Sequence, residues 1–217
     1  MKSLEKRLHR RGFWQIAGLD EAGRGAWAGP LVVALCVFAP DYTNKAIIDS
    51  KRLTRARRQA LFAEITAQAQ YFDYIVYPAV AVDLHNPKRL SIMGMEHLVA
   101  RARGHIDYVL TDAEPIQIPL EHKAIIKGDQ KCQVIAAAAI IAKTVRDQHM
   151  AQIARAWPNY GFNQHQGYGT QNHQRALEQW GPIAAVHRFS YRPIQTYNQR
   201  QSQPNFQADV TEDQRIK

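Results

Sequence analysis

From Val134 to Trp157 the chain carries the spacing of one long helix, and Pro158 stops it. The first half of that helix contains the run Ala136-Ala137-Ala138-Ala139. Side chains this small let a helix lie close against a second layer, so the run predicts that the helix packs tightly on a sheet. Strand-like stretches are present to build one. Residues 14–19 form a short apolar stretch, and Leu31 to Phe38 form a second, closed by Ala39-Pro40. The short link between them predicts antiparallel neighbours. Tyr71 to Tyr77 is rich in aromatic and β-branched residues. Ile106 to Thr111 reads as a strand that delivers Asp112 at its C-terminal end, and Ala124-Ile125-Ile126 precedes Lys127-Gly128-Asp129. Further helices are predicted from the N-cap Thr54 to about Gln70, with Leu61 and Ile65 facing inward, from Lys88 to Arg103, and from Thr170 to Gln179, ended by Gly181-Pro182. Three early strands followed by strands alternating with helices predict the α/β class, a mixed sheet with helices packed on it.

The charge balance narrows the partners. Twenty-eight Lys and Arg against nineteen Asp and Glu leave the 217-residue chain at +9, an excess that suits a polyanion. No window approaches eighteen consecutive apolar residues, so no membrane span is expected, and the charged start Met1-Lys2-Ser3-Leu4-Glu5-Lys6-Arg7 lacks a signal-peptide core. Cys36 and Cys132 lie alone in apolar surroundings, which predicts buried free thiols and a cytoplasmic location. From about Gln195 the chain turns rich in Gln, Asn, Arg and Asp, which predicts a flexible or loosely docked polar tail.

The residues that carry chemistry begin at Asp20-Glu21-Ala22-Gly23-Arg24-Gly25. Adjacent carboxylates at the end of a strand suit a hard metal ion, while glycine-exposed amides around an arginine suit phosphate or sugar. The plain alternative is a solvated acidic turn. Neighbouring strand residues point to opposite faces, so both carboxylates reach one metal cluster only if the backbone leaves strand geometry at about Glu21. Asp112 is either a third ligand or a turn-initiating aspartate. Three carboxylates in one pocket would repel by about 4 kcal/mol per pair at 4 Å, which a divalent cation such as Mg²⁺ or Mn²⁺ would relieve. Lys143 and Asp147 share a helix face as a surface ion pair, or Asp147 is a fourth carboxylate of a metal site. Tyr168, between Gly167 and Gly169, either stacks on a sugar or base or caps the helix that follows. Asp49-Ser50-Lys51-Arg52 offers groups suited to phosphate, or is a polar loop. His165 and His187 read as local hydrogen-bonding residues, because no second histidine stands at ligand spacing.

In their order along the chain these residues resemble ribonuclease HII, the type 2 ribonuclease H family. Asp20 to Gly25 with Ala28-Gly29-Pro30 matches its first signature, and Asp49-Ser50-Lys51 its second. Ala136 to Asp147 resembles its alanine-rich helix ending in Arg-Asp, His165 to Thr170 its H-x-G-Y-x-T element, and His187-Arg188-Phe189-Ser190 its closing element. The resemblance covers residues 14 to 193. It implies an RNase H-like mixed five-stranded sheet flanked by helices, with a small C-terminal helical extension, a basic segment at 1–13 ahead of it and the polar tail at 194–217. It implies hydrolysis of the RNA strand of RNA–DNA hybrids, including the 5′ side of a single ribonucleotide in duplex DNA, leaving 5′-phosphate and 3′-hydroxyl. Asp20, Glu21, Asp112 and Asp147 would be catalytic, the first three as ligands of Mn²⁺ or Mg²⁺, with two ions in the substrate complex. Gly23, Arg24 and Gly25 would read the ribose 2′-hydroxyl and adjacent phosphate. Tyr168 would stack on the following deoxyribose, and Ser50, Lys51 and Lys143 would contact substrate. A monomer acting on hybrid or ribonucleotide-containing duplex is expected. The chain departs from the family pattern at Ala139, where serine is usual, and at Ala113, where glycine is common. An integrase-like DNA nuclease and a non-catalytic basic binding protein are the rival readings.

Overall fold

The structure is a computed structural model and describes residues 3–202. In chain order the elements are α1 (Ser3–Arg10), β1 (Ile16–Ala22), β2 (Leu31–Val37), a 3-10 turn (Ser50–Arg52), α2 (Arg55–Gln68), β3 (Tyr71–Tyr77), α3 (Ala79–His85) and α4 (Pro87–Arg101). There follow β4 (Tyr108–Asp112), β5 (His122–Ile125), the single turn α5 (Gly128–Lys131), α6 (Gln133–Ala156), a 3-10 turn (Pro158–Tyr160), the single turn α7 (Phe162–His165), α8 (Gln171–Trp180) and α9 (Arg192–Ser202).

The strands form one five-stranded sheet in the order β3-β2-β1-β4-β5. The first three run antiparallel, Asp20 opposite Ala34 and Glu21 opposite Val33. β4 lies parallel to β1, and β5 parallel to β4, so the mixed α/β sheet expected from the sequence is what forms. Alternation sorts the core into two layers. Ile16, Val32, Ala34 and Cys36 face α6 and α2, where they meet Ile135, Ala138, Leu61 and Ile65. Ala17, Leu19, Val33 and Leu35 face α4, against Met95, Leu98 and Val99. Both cysteines are buried free thiols.

The alanine run does what its size suggests: Ala136, Ala137 and Ala138 are wholly buried. The nearest approach is at Gly18 in β1, where an added Cβ would lie 2.2 Å from the main-chain carbon of Val134. The start of α6 thus meets β1 backbone to backbone, which no side chain at position 18 would permit.

Both chain ends depart from expectation. The segment 1–13, read as a basic leader outside the domain, contains α1, whose Leu8 enters the core. Its Glu5 is buried and accepts hydrogen bonds from the Gln133 and Val134 amides at 2.6 and 3.0 Å, which satisfies two orphan donors at the start of α6. α9 is the small C-terminal helical extension expected, but it takes up the first part of the tail expected from 194, through Ser202, with Ile194 wholly buried; three of its neighbours in sequence are polar, which hid the anchor. Residues 203–217 lie outside the described residues.

Two substitutions test these local arguments. Glu5→Ala removes the carboxylate that caps α6 and is expected to cost about 1–2 kcal/mol by denaturant unfolding. Ala113, at the position where the family favours glycine, holds a left-handed φ of 58°. Ala113→Gly relieves that strain against the entropy glycine adds to the unfolded chain, and is expected to stabilise by about 0.5–1 kcal/mol in the same measurement.

Candidate active site

β1 and β4 carry their acids to the same end of the sheet. Leu19 pairs with Thr111, so Asp20 and Asp112 are the next residues along neighbouring parallel strands. β1 runs on in register through Ala22, so the backbone does not leave strand geometry at Glu21 as the sequence reading required. Asp20 instead points with the α6 layer and Glu21 with the α4 layer, and they meet at the strand's end rather than on one face. Asp112 accepts the Gly128 amide at 2.7 Å, and Asp20 accepts the Glu21 amide at 2.7 Å. Burial, followed by Glu21 and Asp112, raises the Asp20 carboxyl well above its usual range. Burial pushes Glu21 up to about 7, against the pull of Arg24 and with the help of Glu114 and Asp112. Asp129, which the sequence reading left out, is raised by burial and then by Asp49 and Asp112. Among the described residues no three His, Cys, Asp or Glu side chains stand close enough to hold a metal ion as they are. The donor set still suits a hard cation. It is all oxygen and self-repelling, with Asp20 buried and Glu21 and Asp112 half-buried, and Glu21 Oε2 is buried with no hydrogen-bond partner.

Asp147 is not a surface ion pair but a buried carboxylate gripped by two cations. Lys143 Nζ lies 2.5 Å from Oδ1, and Arg58 Nη2 lies 3.0 Å from Oδ2. Arg58 also donates to the Ser50 and Leu53 carbonyls at 3.1 and 2.8 Å. One guanidinium therefore ties the Ser50-Lys51 turn to the acid on α6. Ser50 is buried; Lys51 is exposed and lowers the Glu21 and Asp129 carboxyls.

The loop from Gly23 to Pro30 is pinned by two wholly buried arginines that donate to uncharged oxygens, with Arg146 Nη1 left without a partner. Arg146 donates to the Pro30, Ala28 and Gln166 carbonyls, and Arg188 to the Gly29 and Arg24 carbonyls and the Tyr191 hydroxyl. Arg24 turns its guanidinium to Glu21 and Glu114, at 3.2 and 2.5 Å. Gly23 has a φ of +95°, and an added Cβ would lie 2.1 Å from Arg146 Nε. Gly25 is exposed, with nothing within 4 Å of an added Cβ. Tyr168 is 38% exposed, and the Arg146 guanidinium carbon lies 5.3 Å from its ring centroid.

A family model for ribonuclease HII matches residues 17–194. The chain belongs to the ribonuclease HII family. It is a ribonuclease H, an endonuclease of the hydrolase class. A ribonuclease HII of Salinispora tropica is 40% identical over 205 residues, which is 93% of this chain and 76% of that one. One of Agrobacterium fabrum is 42% identical over 194 residues, 88% of each chain. Among solved structures, the ribonuclease H2 of Pyrococcus horikoshii OT3 superimposes with a TM-score of 0.71 at 21% identity, covering 86% of this chain and 98% of that one. Bst-RNase HIII in complex with Mn²⁺ does so at 0.70 and 15%, covering 86% and 70%.

Within this ribonuclease HII scaffold the glycines divide by purpose. Of the two glycines flanking Arg24, Gly23 packs against Arg146 and Gly25 is open. Gly167 and Gly169 do more than expose Tyr168. An added Cβ would meet the Ala28 carbonyl oxygen at 2.4 Å and the Trp27 ring at 2.1 Å, so the tyrosine loop docks directly on the loop behind Gly25. Sequence reasoning missed the roles of Arg58, Glu114, Asp129 and Arg188, which meet residues far away in the chain, and of His173, whose partners are near in sequence but follow no helix or strand period. His165 and His187 do act as local hydrogen-bonding residues.

The Glu21 shift sets a pH dependence in metal-free protein. Its folded pKa lies above its ordinary 4.5, so its contribution to stability is full below 4.5 and lost as pH rises through about 7. Glu21→Gln lacks that loss. In chelator at pH 8 it is expected to be more stable than wild type by on the order of 3 kcal/mol, converging with it near pH 4. An equal difference at both pH values would contradict the titration of Glu21 as its cause.

Proposed function

We propose that the protein hydrolyses the RNA strand of RNA–DNA hybrids and also cuts on the 5′ side of a single ribonucleotide embedded in duplex DNA, with Mn²⁺ or Mg²⁺ held by Asp20, Glu21 and Asp112 and with Asp147 as the fourth catalytic carboxylate. The observation that carries this reading is the gathering of mutually repelling carboxylates at the end of β1 and β4, Asp20 buried and Glu21 and Asp112 half-buried, with Glu21 Oε2 left without a partner. Bst-RNase HIII, which shares the fold, is in complex with Mn²⁺. Two divalent ions at such a site would generate a hydroxide nucleophile and neutralise the departing 3′-oxygen.

The chain's own groups then have separable tasks. Asp20 and Asp112 present carboxylates from adjacent strands, and Glu21 adds one from the other side of β1. Lys143 and Arg58 grip the two oxygens of Asp147 and hold it in one orientation. Gly25 leaves space for backbone approach to the ribose 2′-hydroxyl, the one group that separates a ribonucleotide from its DNA neighbours. Arg24, now paired with Glu21 and Glu114, is placed to exchange those partners for a phosphate. Lys51, on an exposed turn, supplies positive charge beside the acids. The Tyr168 ring is exposed enough to lie on a neighbouring deoxyribose, where an added 2′-oxygen would crowd it. The excess of +9 supports binding to a nucleic acid backbone.

The test is a duplex with one ribonucleotide beside its all-DNA twin, with Mg²⁺, Mn²⁺ or chelator. Cleavage of the first alone, metal-dependent and leaving 5′-phosphate and 3′-hydroxyl ends, is the expected result; equal cutting of the twin would overturn it. Asp20→Asn and Asp112→Asn are expected to lose cleavage by at least 10³-fold, on the order of what one lost charge-stabilising group costs. They should keep or improve substrate binding, because phosphate repulsion falls. Mn²⁺ is also expected to raise the melting temperature of wild type more at pH 8 than at pH 5, where protons already occupy the site, and to do so less in Asp20→Asn.

A further inference from the structure

Tyr168 stands between two glycines, the residue type with the greatest backbone freedom. Its flanks are anchored, the Gly167 carbonyl accepting the Trp27 amide at 2.8 Å and the Gly169 carbonyl accepting Gln174 Nε2 at 3.1 Å, and the Arg146 guanidinium lies over the ring; the main-chain bonds of Tyr168 itself add to that hold. Its amide donates to the His165 carbonyl at 2.9 Å. Its own carbonyl accepts from the Thr170 amide at 2.8 Å and lies 3.0 Å from His173 Nδ1.

His173 is wholly buried, and its other ring nitrogen lies 3.0 Å from His187 Nε2. The direction of this chain of bonds follows from its far end. His187 Nδ1 receives the Ile183 amide proton at 2.8 Å, so it carries no hydrogen. In a neutral ring the hydrogen is then on Nε2, which donates to His173 Nε2. His173 Nε2 is thereby the acceptor, and its hydrogen is on Nδ1, aimed at the Tyr168 carbonyl. His165 has its own partners, accepting the Gly167 amide at Nδ1 and donating from Nε2 to the Tyr160 carbonyl, and its ring stacks on His173 at 4.4 Å between centroids. Burial, ahead of the neighbouring rings, pushes His173 down to about 4 and His187 to about 3, which keeps both rings neutral.

We propose that His173, oriented by His187, is a positioning residue for Tyr168 and through it sets the preference for a deoxynucleotide after the ribonucleotide. This rests on the reading of Tyr168 as the residue that stacks on that deoxyribose. Neither histidine touches the carboxylates described above, so their effect is on discrimination between substrates and not on the metal site. The arrangement also explains why a histidine is needed at both positions: each ring uses one nitrogen as donor and the other as acceptor, at fixed separation, inside a dry core.

The experiment compares cleavage of duplex DNA bearing one ribonucleotide with cleavage of a continuous RNA–DNA hybrid, and takes the ratio. Tyr168→Ala serves as reference. His173→Leu, which removes both bonds, is expected to lower the ratio about three- to tenfold, in the direction of Tyr168→Ala, with the Mn²⁺-induced rise in melting temperature unchanged. His173→Asn places an amide N–H where Nδ1 stands and is expected to restore most of the ratio; His173→Gln, which reaches only the Nε2 position, is not. An unchanged ratio in Tyr168→Ala would sink the stacking reading itself. A lowered ratio there with none in His173→Leu would overturn the positioning role alone. Nitrogen-15 shifts of the wild-type histidines provide a measurement that needs no variant. Hydrogen on Nδ1 of His173 and on Nε2 of His187 is expected, and the opposite tautomers would overturn the proposal even if His173→Leu does not fold.

Discussion

The seating of α6 on β1 is the contact on which the rest depends. At Gly18 the two backbones meet with no room for a side chain, and the buried alanines continue the fit along the helix. Two residues beyond Gly18 the strand delivers Asp20 and then Glu21. About three and a half turns beyond Val134 the helix delivers Arg146 and Asp147. A Cβ at Gly18 would lift the helix and displace both sets together. The capping of α6 by Glu5 belongs to the same arrangement, since it fixes where the helix starts relative to the strand.

Charge is distributed against ordinary solvation on both sides of the site. Carboxylates are crowded at the end of the sheet until burial and mutual repulsion raise Asp20 and Glu21. Behind the loop from Gly23 to Pro30, Arg146 and Arg188 are buried on carbonyl oxygens instead of carboxylates. Burial lowers both arginines, Arg146 to about 10. Such groups are costly in isolation. Held by carbonyls that cannot be protonated or drawn away, they fix the loop's path at any working pH, and they leave acidic side chains free for the other side of the site. Asp147 shows the contrasting use of cations, with Lys143 and Arg58 both paired to a single buried carboxylate.

Much of this is legible from sequence because the signals are local. The apolar and β-branched strands, the N-caps Thr54 and Thr170 and the stop at Pro158 each act within a few residues, and each is found as read. Misreadings arise where one residue type serves two purposes. Gly23 reads as exposing its amide and Gly169 as exposing the Tyr168 ring, yet each also has a packing reason, since an added Cβ at either would strike a side chain of this protein. The alternation along β1 reads as incompatible with a shared site, but at a strand's end the two faces meet. Ile194 sits in a polar run that gives no sign of an anchor.

The sequence by itself determined the five strands, the longer helices and the family, and it nominated the four carboxylates and Tyr168, because these depend on residue type and local pattern. Only the tertiary structure decided what surrounds them. Arg58 reaches Asp147 across 89 positions, Arg188 reaches Arg24 across 164, and His173 meets His187 ring to ring across 14. No periodicity encodes such pairs. They exist because folding brings distant side chains into a volume from which water is excluded, where every polar group must find whichever partner the packing supplies.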